Sequence, residues 1–146
     1  MQKVTPCLWC DNNAKERMDY YSSVFPDCKI ISNHPMMCRF EMSGQQFLLL
    51  NGGDRYKHNP AVSMYIACNG QEEVDLYWDK LLQDGGEESR CGWIIDKYGL
   101  SWQIIPKQLM ELMGNQDQVK SERVMGAMMK MNKIVVKGLE EAFEGN

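Results

Sequence analysis

The chain has 146 residues, 44% of them hydrophobic and 25% charged, with 16 basic against 20 acidic side chains and a formal net charge of −4. That balance belongs to a globular domain with a core, and without a Lys/Arg cluster it argues against nucleic acid or an anionic membrane as partner. No apolar run approaches the roughly 20 residues of a membrane span, and the polar start Met-Gln-Lys-Val-Thr-Pro lacks a signal-peptide core, so a cytoplasmic protein is expected.

Residues 4–10 form a first apolar strand. Asn13-Ala14-Lys15-Glu16 then carries the Asn-x-x-Glu pattern that caps a helix, and Ala14, Met18, Tyr21 and Phe25 follow at helical spacing until Pro26. Three short strands are predicted next, over 29–32, 36–42 and 46–51. The order then repeats. A strand over 61–68 leads to Asn69-Gly70-Gln71-Glu72 and a helix with Val74, Tyr77, Trp78 and Leu81, which Gly85-Gly86 ends. Strands over 88–91, 93–96 and 100–105 follow. Asn13, Glu16, Asp19 and Tyr21 recur 56 residues later as Asn69, Glu72, Asp75 and Tyr77, and the closing hairpins align at an offset of 55. After Pro106 the pattern turns helical, over 107–113, 118–131 and 134–143.

Six cysteines in a chain without an export signal read as buried structural thiols rather than a disulfide framework. Cys7 and Cys10 have redox spacing, but alternation along a strand sends them to opposite faces. With no second Cys pair and no closely spaced histidines, a zinc site is not expected. His34 and His58 lie in turn-like stretches near prolines and are assigned to surface loops.

Two β-α-β-β-β units in one chain resemble the vicinal oxygen chelate superfamily of glyoxalase I, bleomycin-resistance proteins and extradiol dioxygenases, and most closely its PhnB-like (3-demethylubiquinone methyltransferase-like) branch. The resemblance is carried by Thr5-Pro6-Cys7-Leu8-Trp9-Cys10-Asp11, Tyr20-Tyr21-Ser22-Ser23-Val24-Phe25-Pro26, Phe47-Leu48-Leu49-Leu50-Asn51-Gly52-Gly53, Glu72-Glu73-Val74-Asp75-Leu76-Tyr77-Trp78 and the block from Cys91-Gly92-Trp93 through Asp96-Lys97-Tyr98-Gly99-Leu100-Ser101-Trp102-Gln103-Ile104-Ile105-Pro106. The tail, with Arg123-Val124-Met125 and Met128-Met129-Lys130-Met131, is similar to the same branch, whereas residues 26–44 are short beside it and point to a trimmed first hairpin. The resemblance implies an α+β fold, with two βαβββ modules forming a curled mixed sheet over 1–55 and 56–106 and a helical tail over 107–146, all in a single glyoxalase-like domain.

It also implies where a superfamily metal would sit, on His, Gln or Glu of the first and last strands. Those positions fall on Pro6 or Cys7, Leu48, Ser63 and Gln103. Only Gln103 is a plausible ligand, so neither a metal nor another cofactor is expected. If Gln103 points into the concave face, so do Ser101 and Ile105, while Trp102 and Ile104 meet the helices. Arg39 and Glu41 share the face opposite Cys38, Phe40 and Met42. The 56-residue offset pairs Trp9 with Tyr65, and Asn51 and Trp93 fall at the rim. Trp9, Arg39, Glu41, Asn51, Ser63, Tyr65, Trp93 and Gln103 are therefore the candidate ligand-binding residues, suited to a small planar or anionic molecule. The alternative is an exposed face on which Arg39 pairs with Glu41 and the aromatics are plain core.

Neither Asn51-Gly52-Gly53 nor Gly85-Gly86 sits between a first strand and its helix, so a nucleotide-type methyl-donor turn is not supported. Three functions stay open: a small-molecule binding protein, a lyase, isomerase or dioxygenase-type enzyme of the superfamily, or an interaction module acting through the six methionines between Met110 and Met131. Unpaired strand edges and superfamily habit together point to a homodimer.

Overall fold

The computed structural model describes residues 2–146. The chain separates into two compact units, Met1–His58 and Asn59–Asn146. In the first, strand β1 (Cys7–Cys10) leads to helix α1 (Ala14–Val24), then to β2 (Lys29–Asn33), β3 (Met37–Met42) and β4 (Gln45–Asn51). In the second, β5 (Ser63–Cys68) leads to α2 (Gln71–Leu82), then to β6 (Glu87–Glu88), β7 (Trp93–Ile95) and β8 (Ser101–Pro106). The tail adds α3 (Lys107–Met113), α4 (Gln118–Met128) and α5 (Val136–Glu144). Each unit holds its own four-stranded mixed sheet, ordered β1-β4-β3-β2 and β5-β8-β7-β6, as the two βαβββ modules predict. In both, the first strand runs parallel to the last and the rest is antiparallel.

Alternation decides which face the helix covers. Leu8, Cys10, Cys38, Phe40, Met42, Phe47 and Leu49 are buried on one face of the first sheet and meet Met18, Tyr21 and Val24 of α1. Tyr21 stacks on Phe40 at 6.1 Å, and Phe40 on Phe47 at 5.4 Å. In the second unit Ile94, Trp102 and Ile104 are buried together with Val74, Trp78 and Leu81 of α2. The strand phases read from the sequence therefore hold.

The caps and the repeat register differ from expectation. Asn13 stands at the N-cap of α1 but its side chain makes no capping bond. Asn51 supplies it from β4 instead, its Oδ1 accepting from the Ala14 N–H at 2.9 Å. On α2 the N-cap is Gly70, and Glu73 rather than Glu72 reaches back, accepting from the Asn69 N–H at 2.8 Å. The constant 56-residue offset also fails along the ladders. Cys7 pairs with Leu48, whereas Tyr65 pairs with Gln103. The counterpart of Tyr65 is thus Cys7, and that of Trp9 is Ala67. Cys10 and Cys68 coincide, both buried, with each thiol donating to the carbonyl two residues back. Insertions between elements shift each pairing by a residue or two, which no single sequence offset can follow.

Strand β6 stops at Glu88 because a turn follows, in which Trp93 N–H donates to the Arg90 carbonyl and Cys91 takes a φ of 59°. The tail packs on its own unit: Leu109, Val124, Ile134 and Leu139 are buried with Ile105, and Met113, Met128 and Met131 pack against them. Among the described residues no helix is long and apolar enough to cross a membrane.

Candidate functional site

On each sheet the face turned away from the helix carries the candidate residues at matching rungs. In the first sheet the rung is Cys7, Leu48 and Arg39, with Trp9, Leu50 and Met37 on the next. In the second it is Tyr65, Gln103 and Trp93. Arg39 and Trp93 thus occupy equivalent ladder positions.

In the first unit Trp9 is fixed from several sides. Its Nε1–H donates to the Gly53 carbonyl at 2.8 Å, and Tyr56 meets its ring edge-on with centroids 4.7 Å apart. Gly52 is required there by space, since a Cβ on it would lie 2.3 Å from Trp9 Cζ2. Arg39 is half-buried, and its Nε is enclosed without a hydrogen-bond partner. No ion pair among the described residues joins Arg39 to Glu41, so that pairing, left open by the sequence, does not form. Asn51 lies on the helix side of its sheet. Its Oδ1 caps α1 and its Nδ2 donates to the Pro35 carbonyl at 2.9 Å, which commits both ends of the side chain to the framework.

In the second unit Gln103 Nε2 donates to Ser63 Oγ at 3.0 Å. Tyr65 flanks it and is 51% exposed, and partial burial pushes its phenol pKa up. Trp93 flanks it on the other side, half-buried. Ser101, on the same face, is buried with an unpartnered Oγ. The structure brings Ser63, Tyr65, Trp93 and Gln103 together on one face, and Trp9, Arg39 and Glu41 on the other sheet's corresponding face.

The sequence reading missed Arg17, which is 2% exposed. Its Nη1 donates to the Trp9 carbonyl at 3.0 Å and lies 3.4 Å from Cys10 Sγ, and its Nη2 donates to the Tyr21 hydroxyl at 3.2 Å. Nη1 also stands 3.0 Å from His58 Nε2, which must accept, because a guanidinium offers only donors. His58 is accordingly anchored and not a free surface loop residue. A signal existed: Arg17 falls on the stripe of Ala14, Met18 and Tyr21, where a charged residue needs buried partners. Burial raises the Cys10 thiol pKa although Arg17 opposes it, and burial pushes Cys68 up to about 12. Neither thiol is a nucleophile at ordinary pH.

Paired units of this topology make the glyoxalase-like fold, shared with the solved structures of FosX and of a glyoxalase/bleomycin resistance protein. The chain belongs to the family described as 3-demethylubiquinone-9 3-methyltransferase, whose model matches residues 2–105. Among solved structures, a PhnB protein from Bacillus cereus is 31% identical, with 72% of this chain and 99% of that one covered at a TM-score of 0.65. The fosfomycin resistance protein FosX from Listeria monocytogenes, complexed with Mn(II) and sulfate, is 14% identical over 70% of this chain and 88% of its own, with a TM-score of 0.55. A glyoxalase/bleomycin resistance protein from Albidiferax ferrireducens is 12% identical over 67% and 92%, with a TM-score of 0.51. No curated protein matches the chain. The family match ends one residue before Pro106, so it does not include the tail helices.

A superfamily metal does not fit the residues present. The positions assigned to it hold Pro6, which has no side-chain donor, or Cys7, then Leu48, Ser63 and Gln103. Leucine has no lone pair, and Ser63, hydrogen-bonded to Gln103, and Gln103 itself offer only neutral oxygens, which leaves the Cys7 thiol as the single donor able to become anionic. Among the described residues no group of three or more His, Cys, Asp or Glu converges. The loops after β1 and β5, Asp11-Asn12-Asn13 and Asn69-Gly70, likewise lack the glycine-rich turn of a nucleotide-type methyl-donor site.

Proposed function

We propose that this protein binds a small organic ligand, aromatic or anionic, on the open faces of its sheets and does so without the superfamily's metal. The observation that carries this reading is the rung of Tyr65, Gln103 and Trp93. An amide, a phenol and an indole stand side by side on the face away from α2, at the end of the sheet beyond Ile105, which the tail covers, and Tyr65 there is half exposed. Gln103, held by Ser63, offers its carbonyl as an acceptor between two aromatic walls. On the first unit's own sheet the equivalent rung carries a cation, Arg39. A cytoplasmic setting accords with six free cysteines.

A fragment screen by ligand-observed NMR and thermal shift, using aromatic and anionic compounds, tests this. Binding at low millimolar Kd or better is expected, and Gln103→Leu and Trp93→Ala should each weaken the second-sheet binders several-fold. Hits indifferent to these substitutions and to Arg39→Met, or the absence of hits, would overturn the reading. Elemental analysis of chelator-free protein tests the other half: stoichiometric zinc, nickel, iron or manganese, lost on Gln103→Leu, would refute the metal-free claim.

A further inference from the structure

We infer that the first unit's open face takes a planar aromatic carboxylate in one fixed direction, ring on Trp9 and Tyr56 and carboxylate on Arg39. This rests on the reading that the open faces bind small ligands, and it adds a ligand class, an orientation and a residue, Tyr56, that lies outside every strand. Three successive rungs of the face change character. Trp9, Leu50 and Met37 are apolar; Cys7, Leu48 and Arg39 come next; Gln46 and Glu41 follow. Same-face rungs are about 7 Å apart, because a strand rises about 3.3 Å per residue. That spacing is close to the span from the far ring of a small fused system to the oxygens of a carboxylate on its near ring.

The two ends differ in what they can offer. The Trp9 N–H is already spent on the Gly53 carbonyl, so the indole presents only its π surface and edge. Tyr56 stands edge-on beside it, 55% exposed, giving a planar ring a second contact. Arg39 is the opposite case. Its Nε is enclosed with no hydrogen-bond partner, and no carboxylate among the described residues pairs with it. A buried donor left unmade is costly, and a carboxylate matches a guanidinium with two parallel bonds. Glu41, one rung further on, repels a second anionic group and limits the ligand to a single acidic head at the Arg39 rung.

The test titrates the full-length protein with 2-naphthoate and with 2-naphthol, the same ring without the carboxylate. Binding is followed through the indole N–H resonance of Trp9 and the Nε–H resonance of Arg39. Naphthoate should move both, and naphthol only the first. Arg39→Met should weaken naphthoate about tenfold or more and leave naphthol unchanged, since a charge-assisted bond is worth about one such factor or better. Arg39→Lys should recover part of the loss. Tyr56→Ala should weaken both compounds by a similar several-fold factor, with the fold retained by circular dichroism and the thermal midpoint lowered only slightly by loss of the edge-on contact to Trp9. Equal affinity for the two compounds, an ineffective Arg39→Met, or shifts confined to Trp93 and Gln103 would overturn this inference while leaving the broader one standing. Binding of neither compound would overturn this one too, and a failed fragment screen would then remove the broader reading independently.

Discussion

At Gly52 the requirement for glycine is one of volume. A methyl group there would meet three atoms of the Trp9 ring at 2.3 to 2.5 Å, and that ring is tied to Gly53 and Tyr56. Gly52→Ala should cost about 1–3 kcal/mol, as overpacking does, and shift Trp9 out of its place. Urea unfolding gives the first number, and loss of the Tyr56 contact in nuclear Overhauser spectra shows the second. Asn51 joins β4 to the first turn of α1 and to the Pro35 carbonyl, so Asn51→Ala should lose about 1–2 kcal/mol by the same measurement. Cys68 gives a pH signature. Its ordinary pKa is 9.0, and burial raises it to about 12 in the folded chain. The unfolded chain releases this proton above about pH 9 while the folded one keeps it. Stability is therefore full below pH 9 and falls as the pH climbs toward 12. Cys68→Ala should flatten that part of the alkaline curve in chemical denaturation across pH 8–11.

Elements were legible where the information was local. Alternation placed Trp102 and Ile104 against α2 and Gln103 opposite them, because a half-buried strand writes its phase into every second residue. What escaped was set by distant groups. Asn51 capping α1, His58 meeting Arg17 and Tyr56 covering Trp9 span 37, 41 and 47 residues, and no periodic pattern encodes such meetings. The two-residue slip between the first strands is of the same kind, visible only once the ladders are formed. The tail's attachment was equally hidden. Gln71 Nε2 donates to the Ile134 carbonyl at 3.0 Å and its Oε1 accepts from Val136 N–H at 2.7 Å. Lys133 pairs with Asp75 at 2.9 Å, and Met131 and Asn132 carbonyls accept from Cys91 and Gly92. Gln71→Ala should cost about 1–3 kcal/mol and raise amide exchange in 131–144 selectively, with β5 and β8 unchanged. Hydrogen bonds from Lys133 and Gln71 hold the Asp75 pKa below its ordinary value. Its contribution is present above the usual carboxylate range and fades as the pH falls through the lowered value. Because Asp75 is 45% exposed, the acid effect should be small and confined to tail exchange, and Asp75→Asn should abolish it.

At the scale of the whole molecule, two surfaces compete to mediate the expected homodimer. The first is the β2 edge, where Ile30 and Ile31 are exposed and one side of the backbone is unpaired. It carries the usual defences against pairing: a register shift between Ile30 and Ser32, and a lysine at its start. The second is the outer side of the tail. Docking on its own unit consumes Met113, Met128 and Met131, and leaves Met110, Met125 and Met129 exposed, Met129 by 58%. Six basic and six acidic residues from Lys107 to Asn146 leave no net charge to oppose self-association. Burying apolar area contributes about 25 cal/mol per Å², and nothing comparable to the β2 shift protects the tail. The tail is the surface to expect. Light scattering at micromolar concentration should report twice 16.9 kDa, and Met125→Lys with Met129→Lys should halve it while Ile31→Lys leaves it unchanged. Dissociation by Ile31→Lys alone would move the interface to β2, and 16.9 kDa for the unaltered chain would refute the dimer itself.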